Sequence, residues 1–368
     1  MKRERRPLGL SSFVAASRFA AGLVLAGCSV PTSTQPPQSH PTNLPPGIAA
    51  LGRVAARDGA LAEYAWSGSG VRVHFRGTGL VARLKDDNNE HQVVVDGSPI
   101  RKITTKAGLD SYVLIDGLRA GEHEAELSRR TEASFGPTVL LGIDVIGGEL
   151  LAAPAFKRRY LEVVGDSISC GYGNEGEGPT CSFSAATENH YLSYAAVLAR
   201  ALDADLSTVA WSGRGVFKNY NGEPGEKLGT LYDRILPETP TSVHHVERSA
   251  DAVVVNLGTN DFSTDPDPTE DEFATSYVQL LRKIRQNHPK AFILCTIGPM
   301  LGGEDLDKAA RAIARAVTAR KSEGDMRLES HVLTTRNDNP GCDYHPGIET
   351  HRAMAEELKR ELDKHLLR

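Results

Sequence analysis

The chain has 368 residues, 40% hydrophobic and 24% charged, which is ordinary globular composition with enough length for two domains, each with its own core. Its 42 basic and 47 acidic residues leave a formal net charge of −5, with no basic block after the N-terminus. No broad positive field is available to attract nucleic acid, and a polyanionic partner is not expected.

The N-terminus runs MKRERR, then FVAASRFAAGLVLAG, then Cys28, the layout of a bacterial export signal. Leu25-Ala26-Gly27-Cys28 resembles a lipobox. Residues 1–28 are therefore expected to be a lipoprotein signal peptide, with Cys28 the lipid-bearing first residue of the mature chain. The other readings are an ordinary signal peptide or an N-terminal membrane helix, but Arg18 interrupts the apolar run too early for a good span. Residues 29–49 are rich in Pro, Ser and Thr, the composition of a semi-rigid tether. The expected product is an exported protein held at the cell surface or in the periplasm, touching the membrane through its lipid alone.

An oxidising compartment makes disulfides possible among Cys170, Cys181, Cys295 and Cys342. Cys170 with Cys181, across a Gly-rich loop, is the first pair expected. Neither C-x-x-C nor H-x-x-x-H spacing occurs, so no metal site is expected.

Between residues 50 and 152 the segments GVRVHFRG, GLVARLKD, HQVVVDG, SYVLIDG and HEAELSRR alternate apolar and polar residues or run β-branched. Gly, Asp or Asn closes the segments, and such regular short strands predict a small antiparallel β-sandwich. LAAPAFKRR follows as a connector. From 158 to 368 the rhythm changes. The strand candidates LEVVG, LSTVAW, AVVVNLG, AFILCTIG and LESHVLT are interleaved with the helix candidates YLSYAAVLARAL, DEFATSYVQLLRKIRQN, DLDKAARAIARAVTARK and ETHRAMAEELKRELDKHL. That alternation predicts βαβ units and an α/β domain with a parallel sheet covered on both faces.

In such a sheet, functional loops gather at the C-terminal strand ends. Gly165-Asp166-Ser167, Ser212-Gly213-Arg214-Gly215 and Gly258-Thr259-Asn260-Asp261 follow the first three strands, and Asp343-Tyr344-His345-Pro346 precedes the last helix. Taken singly, each has a structural explanation as a cap or turn. Together they complete a chemistry. A serine hydroxyl needs an imidazole to take its proton, which pairs Ser167 with His345. The amides of Ser167 and Gly213 and the Asn260 side chain would stabilise an oxyanion. Asp166 and Asp261 are expected to hold turns rather than to react. Trp211, Tyr172, Phe262 and Tyr344 flank the clusters and are candidates for a sugar-stacking wall.

This combination resembles the SGNH hydrolase superfamily. More narrowly, GDSISCGYGNEG, WSGRGVFKNY, NLGTNDF, TIGPM and GCDYHP are similar to carbohydrate esterase family two, whose members place a jelly-roll-like β-sandwich before a three-layer SGNH domain. The resemblance implies Ser167 as nucleophile, His345 as general base and then acid, Gly213, Asn260 and the Ser167 amide as oxyanion donors, and removal of acetyl groups from plant polysaccharides such as xylan or glucomannan. It implies no cofactor. One position departs from the superfamily: Cys342 stands three residues before the histidine, where an aspartate is usual, while Asp343 stands two before. The resemblance leaves two acceptors open for the imidazole N–H, the Asp343 carboxylate and a backbone carbonyl beside it. Two other functions remain open at this level: hydrolysis of lipid or longer acyl esters, and non-catalytic carbohydrate binding at the cell surface. Sequence does not bear on the oligomeric state.

Overall fold

The computed structural model of the chain describes residues 44–366. The segment expected to be an export signal, Cys28 and most of the proline-rich stretch lie outside the described residues. Among the described residues, no helix is long and apolar enough to cross a membrane.

Ten strands come first: β1 Ile48–Leu51, β2 Ala62–Tyr64, β3 Gly70–Gly77, β4 Gly79–Asp86, β5 Glu90–Val95, β6 Ser98–Thr104, β7 Gly108–Ile115, β8 Gly121–Arg129, β9 Thr138–Ile146 and β10 Glu149–Leu150. They form one sheet in the order β1-β3-β8-β5-β6, with β10 also on β3, and a second in the order β2-β9-β4-β7. All the pairings are antiparallel. Alternate residues of facing strands meet between the sheets: Val71, Val73 and Phe75 of β3, Leu80, Ala82 and Leu84 of β4, and Ala125 and Leu127 of β8. This is the period-two burial of a sandwich. β1 begins inside the stretch read as a tether, because Ile48 is buried in this core.

The second half is a five-stranded parallel sheet in the order β12-β11-β13-β14-β15, built from β11 Arg159–Gly165, β12 Ala204–Ala210, β13 Ala252–Asn256, β14 Phe292–Ile297 and β15 Leu328–Val332. Both faces are covered, and the strand residues alternate between them. Leu161 and Val163 of β11 with Val254 of β13 pack under α2 Tyr194–Ala201 and α7 Ile348–Leu366. Val164, Val253 and Val255 pack on the other face under α5 Glu270–Asn287 and α6 Gly303–Ser322. Helix α5 starts at a capping box between Thr269 and Glu272. It buries Phe273, Tyr277, Leu280, Leu281 and Ile284, one face of a 3.6-residue period. The short helices α1 Ser167–Cys170, α3 Leu228–Leu231 and α4 Thr259–Phe262 occupy loops, α1 and α4 directly after β11 and β13.

The two halves share buried polar contacts. Arg53, just after β1, reaches Glu162 of β11 with Nη2 3.1 Å from Oε1, and Trp66 Nε1 donates to the Arg234 carbonyl at 3.2 Å.

Candidate active site

Strand β11 ends at Gly165, where a Cβ would stand 1.9 Å from Ser169 Oγ. Only glycine lets α1 begin so close to the strand end. Asp166 caps α1, its Oδ1 accepting from the Ile168 amide at 3.1 Å. Burial, with a contribution from the charge of Asp261, pushes the Asp166 carboxyl up to about 7. Ser167 is then the first helical residue, only 6% exposed, and its Oγ stands 2.9 Å from His345 Nε2.

His345 Nδ1 lies 3.1 Å from the backbone carbonyl of Asp343. A carbonyl only accepts, so Nδ1 carries the hydrogen and Nε2 presents its lone pair to the serine hydroxyl. Burial drives the imidazole pKa down to about 4, so the ring is neutral at neutral pH. The Asp343 carboxylate points elsewhere: its Oδ2 accepts from Tyr172 Oη at 2.9 Å and from the Phe183 amide at 3.2 Å. Of the two acceptors open in the sequence, the backbone carbonyl is the one against the imidazole.

The segment carrying His345 is anchored by a disulfide between Cys181 and Cys342, with Cα atoms 4.6 Å apart. This corrects the expected Cys170–Cys181 pair. Cys170 is turned inward on α1, buried with its Sγ 3.7 Å from Glu132 Oε2, and is a free thiol like Cys295. Two more bonds tie the segment to the loop after α1, from the Cys342 amide to Gly173 O at 2.9 Å and from the Asp343 amide to Cys181 O at 3.2 Å. Asp343 and Tyr344 have φ of 50° and 61°, left-handed values that side chains rarely adopt, and these contacts hold them there.

Gly213 follows β12 in a turn closed by the Arg214 amide on the Trp211 carbonyl at 3.2 Å. Its φ is 77°, and a Cβ there would meet nothing within 4 Å, so its backbone borders open space. Asn260, in α4, donates from Nδ2 to the Arg214 carbonyl at 3.0 Å, which leaves its second N–H for another acceptor. Asp261 accepts the amides of Val216, Phe217 and Lys218 at 3.1, 2.8 and 2.8 Å. Its role is to pin the loop after β12 onto the end of β13.

The chain matches two families over most of its length: Carbohydrate esterase 2 N-terminal over residues 50–154, and GDSL-like Lipase/Acylhydrolase over residues 163–353. A solved family two carbohydrate esterase from Clostridium thermocellum, in complex with cellohexaose, superposes with a TM-score of 0.83 at 39% identity, covering 87% of this chain and 99% of that one. The chain belongs to carbohydrate esterase family two. Among curated relatives of this esterase-family chain, the cellulase/esterase CelE of Acetivibrio thermocellus is 39% identical over 325 residues, 87% of this chain but 40% of that protein. An acetylxylan esterase / glucomannan deacetylase of Cellvibrio japonicus is 29% identical over 326 residues, covering 86% and 88% of the two chains.

The aromatic residues of this family two chain do not form one wall. Phe262 is 1% exposed and packs on Phe273 with ring centroids 5.0 Å apart, because α4 turns it into the core. It is not available to a ligand, which corrects its assignment to substrate. Trp211 is half-buried, with the Arg214 guanidinium 5.2 Å from its ring centroid, and Tyr344 is 64% exposed. Tyr172 lies 4.1 Å from the His345 ring and stacks on Phe183 at 3.8 Å. Phe135 of the sandwich stands 6.0 Å from Phe183, so the sandwich reaches the neighbourhood of the histidine.

Two residues here escaped the sequence reading. Phe183 had no motif around it, and Glu132 sits in an unremarkable sandwich loop 80 residues from its partner, Ser212. Among the described residues Glu132, Cys170 and Glu188 also bring metal-type donor atoms within 4.8 Å of one another, a grouping that spacing rules miss because the three are distant in sequence. Each carboxylate there already accepts a backbone amide, Glu132 from Ser212 and Glu188 from Glu132.

Proposed function

We propose that this protein is an exported serine esterase that removes O-acetyl groups from a xylan- or glucomannan-like polysaccharide through an acetyl-enzyme. The observation that carries the reading is the 2.9 Å contact between Ser167 Oγ and an imidazole whose other nitrogen is bound to a carbonyl. The family two membership and the relatives that deacetylate xylan and glucomannan support the substrate class.

In the forward half-reaction Ser167 Oγ attacks the acetyl carbonyl carbon while His345 Nε2 takes its proton. The negative charge that develops on the carbonyl oxygen is met by the amides of Ser167 and Gly213 and by the Asn260 side chain. The imidazolium keeps its Nδ1–H on the Asp343 carbonyl and gives the Nε2 proton to the departing sugar oxygen. Burial makes this imidazolium a more acidic donor to the alkoxide leaving group than an ordinary one, at some cost to the neutral ring's strength as a base. Water then attacks the acetyl-enzyme with His345 as base, acetate departs and Ser167 recovers its proton.

Ser167→Ala is expected to lower kcat on 4-nitrophenyl acetate and acetate release from acetylated xylan by several orders of magnitude, as in other mutated triads. Full activity in that variant would overturn the assignment. Rates on a chain-length series of nitrophenyl esters should fall sharply by butyrate, whereas a lipase-type site would hold or rise. Retention on the cell envelope is assigned to a lipid on Cys28, because the four residues ending there resemble a lipobox. Cys28→Ser should then abolish palmitate labelling and release the protein.

A further inference from the structure

Glu132 is contributed by the sandwich, on the loop after β8, yet its side chain is buried against the α/β domain. One oxygen, Oε2, accepts from two donors: the Ser212 amide at 2.7 Å and the Cys170 thiol at 3.7 Å. Cys170 lies on α1, one helical turn after Ser167. Ser212 lies in the Trp211–Arg214 turn, immediately before Gly213. A single carboxylate oxygen therefore joins the two backbone elements that carry the Ser167 and Gly213 amides.

Glu132 is itself held at both ends of its backbone. Its amide donates to Glu188 Oε2 at 3.0 Å, and its carbonyl accepts from Arg129 Nη2 at 2.8 Å. Burial, and then the neighbouring Glu132 charge, push the Glu188 carboxyl well above the usual range; burial pushes Glu132 up as well, with the bond from the Ser212 amide opposing it. A buried carboxylate costs several kcal/mol in desolvation, and an apolar side chain would fill the same space without that cost. What an apolar side chain lacks is an acceptor.

We propose that Glu132 is a positioning residue for the oxyanion site, a strut that sets the spacing between the Ser167 and Gly213 amides and makes the sandwich an integral part of the esterase centre. The inference rests on the esterase reading above. Oxyanion donors act through where they point, and displacement of a reacting group by about 1 Å costs on the order of a hundredfold in rate.

The test uses full-length protein with 4-nitrophenyl acetate, scored as kcat and KM separately, with thermal unfolding recorded alongside. Glu132→Met fills the volume without a comparable acceptor, Glu132→Ala empties it, and Glu132→Gln keeps an acceptor oxygen. Met and Ala are expected to lose about 10- to 100-fold in kcat with KM within about threefold of the parent, and Gln to stay within about threefold in both. A merely structural role would lower the melting temperature without moving kcat in the folded variants. Either folded Met or Ala at parental kcat, or Gln as impaired as Met, overturns the proposal. If Met and Ala fail to fold, Cys170→Ala removes the other leg of the strut; a kcat loss of about threefold or more supports the proposal and an unchanged kcat overturns it. A parent protein without esterase activity would instead reject the underlying reading.

Discussion

His345 Nδ1 meets the backbone carbonyl of Asp343 at 3.1 Å while the carboxylate of the same residue serves Tyr172 and Phe183. One residue thus does two jobs with two different groups. The carbonyl fixes the imidazole tautomer, and the carboxylate holds the ring that lies beside the imidazole. Asp343→Asn leaves the carbonyl in place and keeps an oxygen that accepts from Tyr172 and Phe183, and asparagine tolerates the positive φ. The expected kcat on 4-nitrophenyl acetate is within about tenfold of the parent, against the ~10⁴-fold loss that the same change causes where a carboxylate orients the histidine. Steady-state kinetics of the purified variant decides between the two.

The pH dependence follows from the same ring. Burial lowers the His345 pKa to about 4. Below that value the imidazole is protonated and cannot take the serine proton; above it the ring is neutral and competent. The acid limb of kcat/KM for the free enzyme is therefore expected near pH 4, well below the ~6.5 of an unperturbed histidine. A pH–rate profile on a neutral ester, whose own ionisation does not intervene, locates this limb. An acid limb at pH 6 to 7 would contradict the buried neutral ring.

The Cys181–Cys342 disulfide spans 161 residues and clamps the segment that presents His345. In the chain-entropy argument a loop of this length contributes about 5 kcal/mol, the upper end of the roughly 2–5 kcal/mol that loss of a native disulfide costs. Replacing both cysteines by alanine is expected to lower the free energy of unfolding by roughly 2–5 kcal/mol, measured by denaturant unfolding, and to lower kcat, since the left-handed Asp343 and Tyr344 lose their tether. Peptide mapping without reduction should recover the 181–342 cross-link. Alkylation after unfolding, again without reduction, should label Cys170 and Cys295.

Much of the architecture could be read from the chain because burial there is one-sided. The segments 70–77 and 79–86 coincide with β3 and β4, whose alternate residues face the core. The short β1, β2 and β10 and the longer β6 and β9 fall outside the expected strands, the last two for opposite reasons. β6, SPIRKIT, buries only Ile103 and contains Pro99, so it carries almost no pattern. In β9 the pairing skips a residue, from Gly142 opposite Arg83 to Leu140 opposite Leu84, and this bulge at Leu141 breaks the alternation. At the site, the Ser167–His345 pairing was legible because each side chain follows a turn motif whose chemistry demands a partner. The Cys181–Cys342 bond, the inward turn of Phe262 and the reach of Glu132 were not. Each depends on contacts between segments from 11 to 161 residues apart that no local pattern encodes.

The Glu162 carboxylate, which lies within β11 and is fully buried, ties the sandwich to the sheet. Oε1 accepts from Arg53 at 3.1 Å, and Oε2 accepts from Tyr232 Oη at 2.8 Å and from His288 Nε2 at 3.0 Å. The other nitrogen of His288 accepts from the Ala250 amide at 3.0 Å, so Nε2 carries the hydrogen. Burial alone would push the Glu162 carboxyl up; the bond from His288, with Arg53 and Tyr232, instead holds it well below the usual range. With a depressed folded-state pKa, its stabilisation is present in full above ~pH 4.3, the unfolded value, and is lost as pH falls below it. Arg53→Ala leaves the buried carboxylate without a cation, and Glu162→Gln leaves the buried guanidinium without an anion. Each is expected to cost roughly 3–5 kcal/mol. The double variant should cost less than the sum, because removing both charges leaves neither one unpaired. Denaturant unfolding of the parent, the two single variants and the double variant closes the cycle, with additive losses as the contrary result. Glu162 lies three residues before Gly165 and away from Ser167, so kcat of the folded single variants should stay within about threefold of the parent.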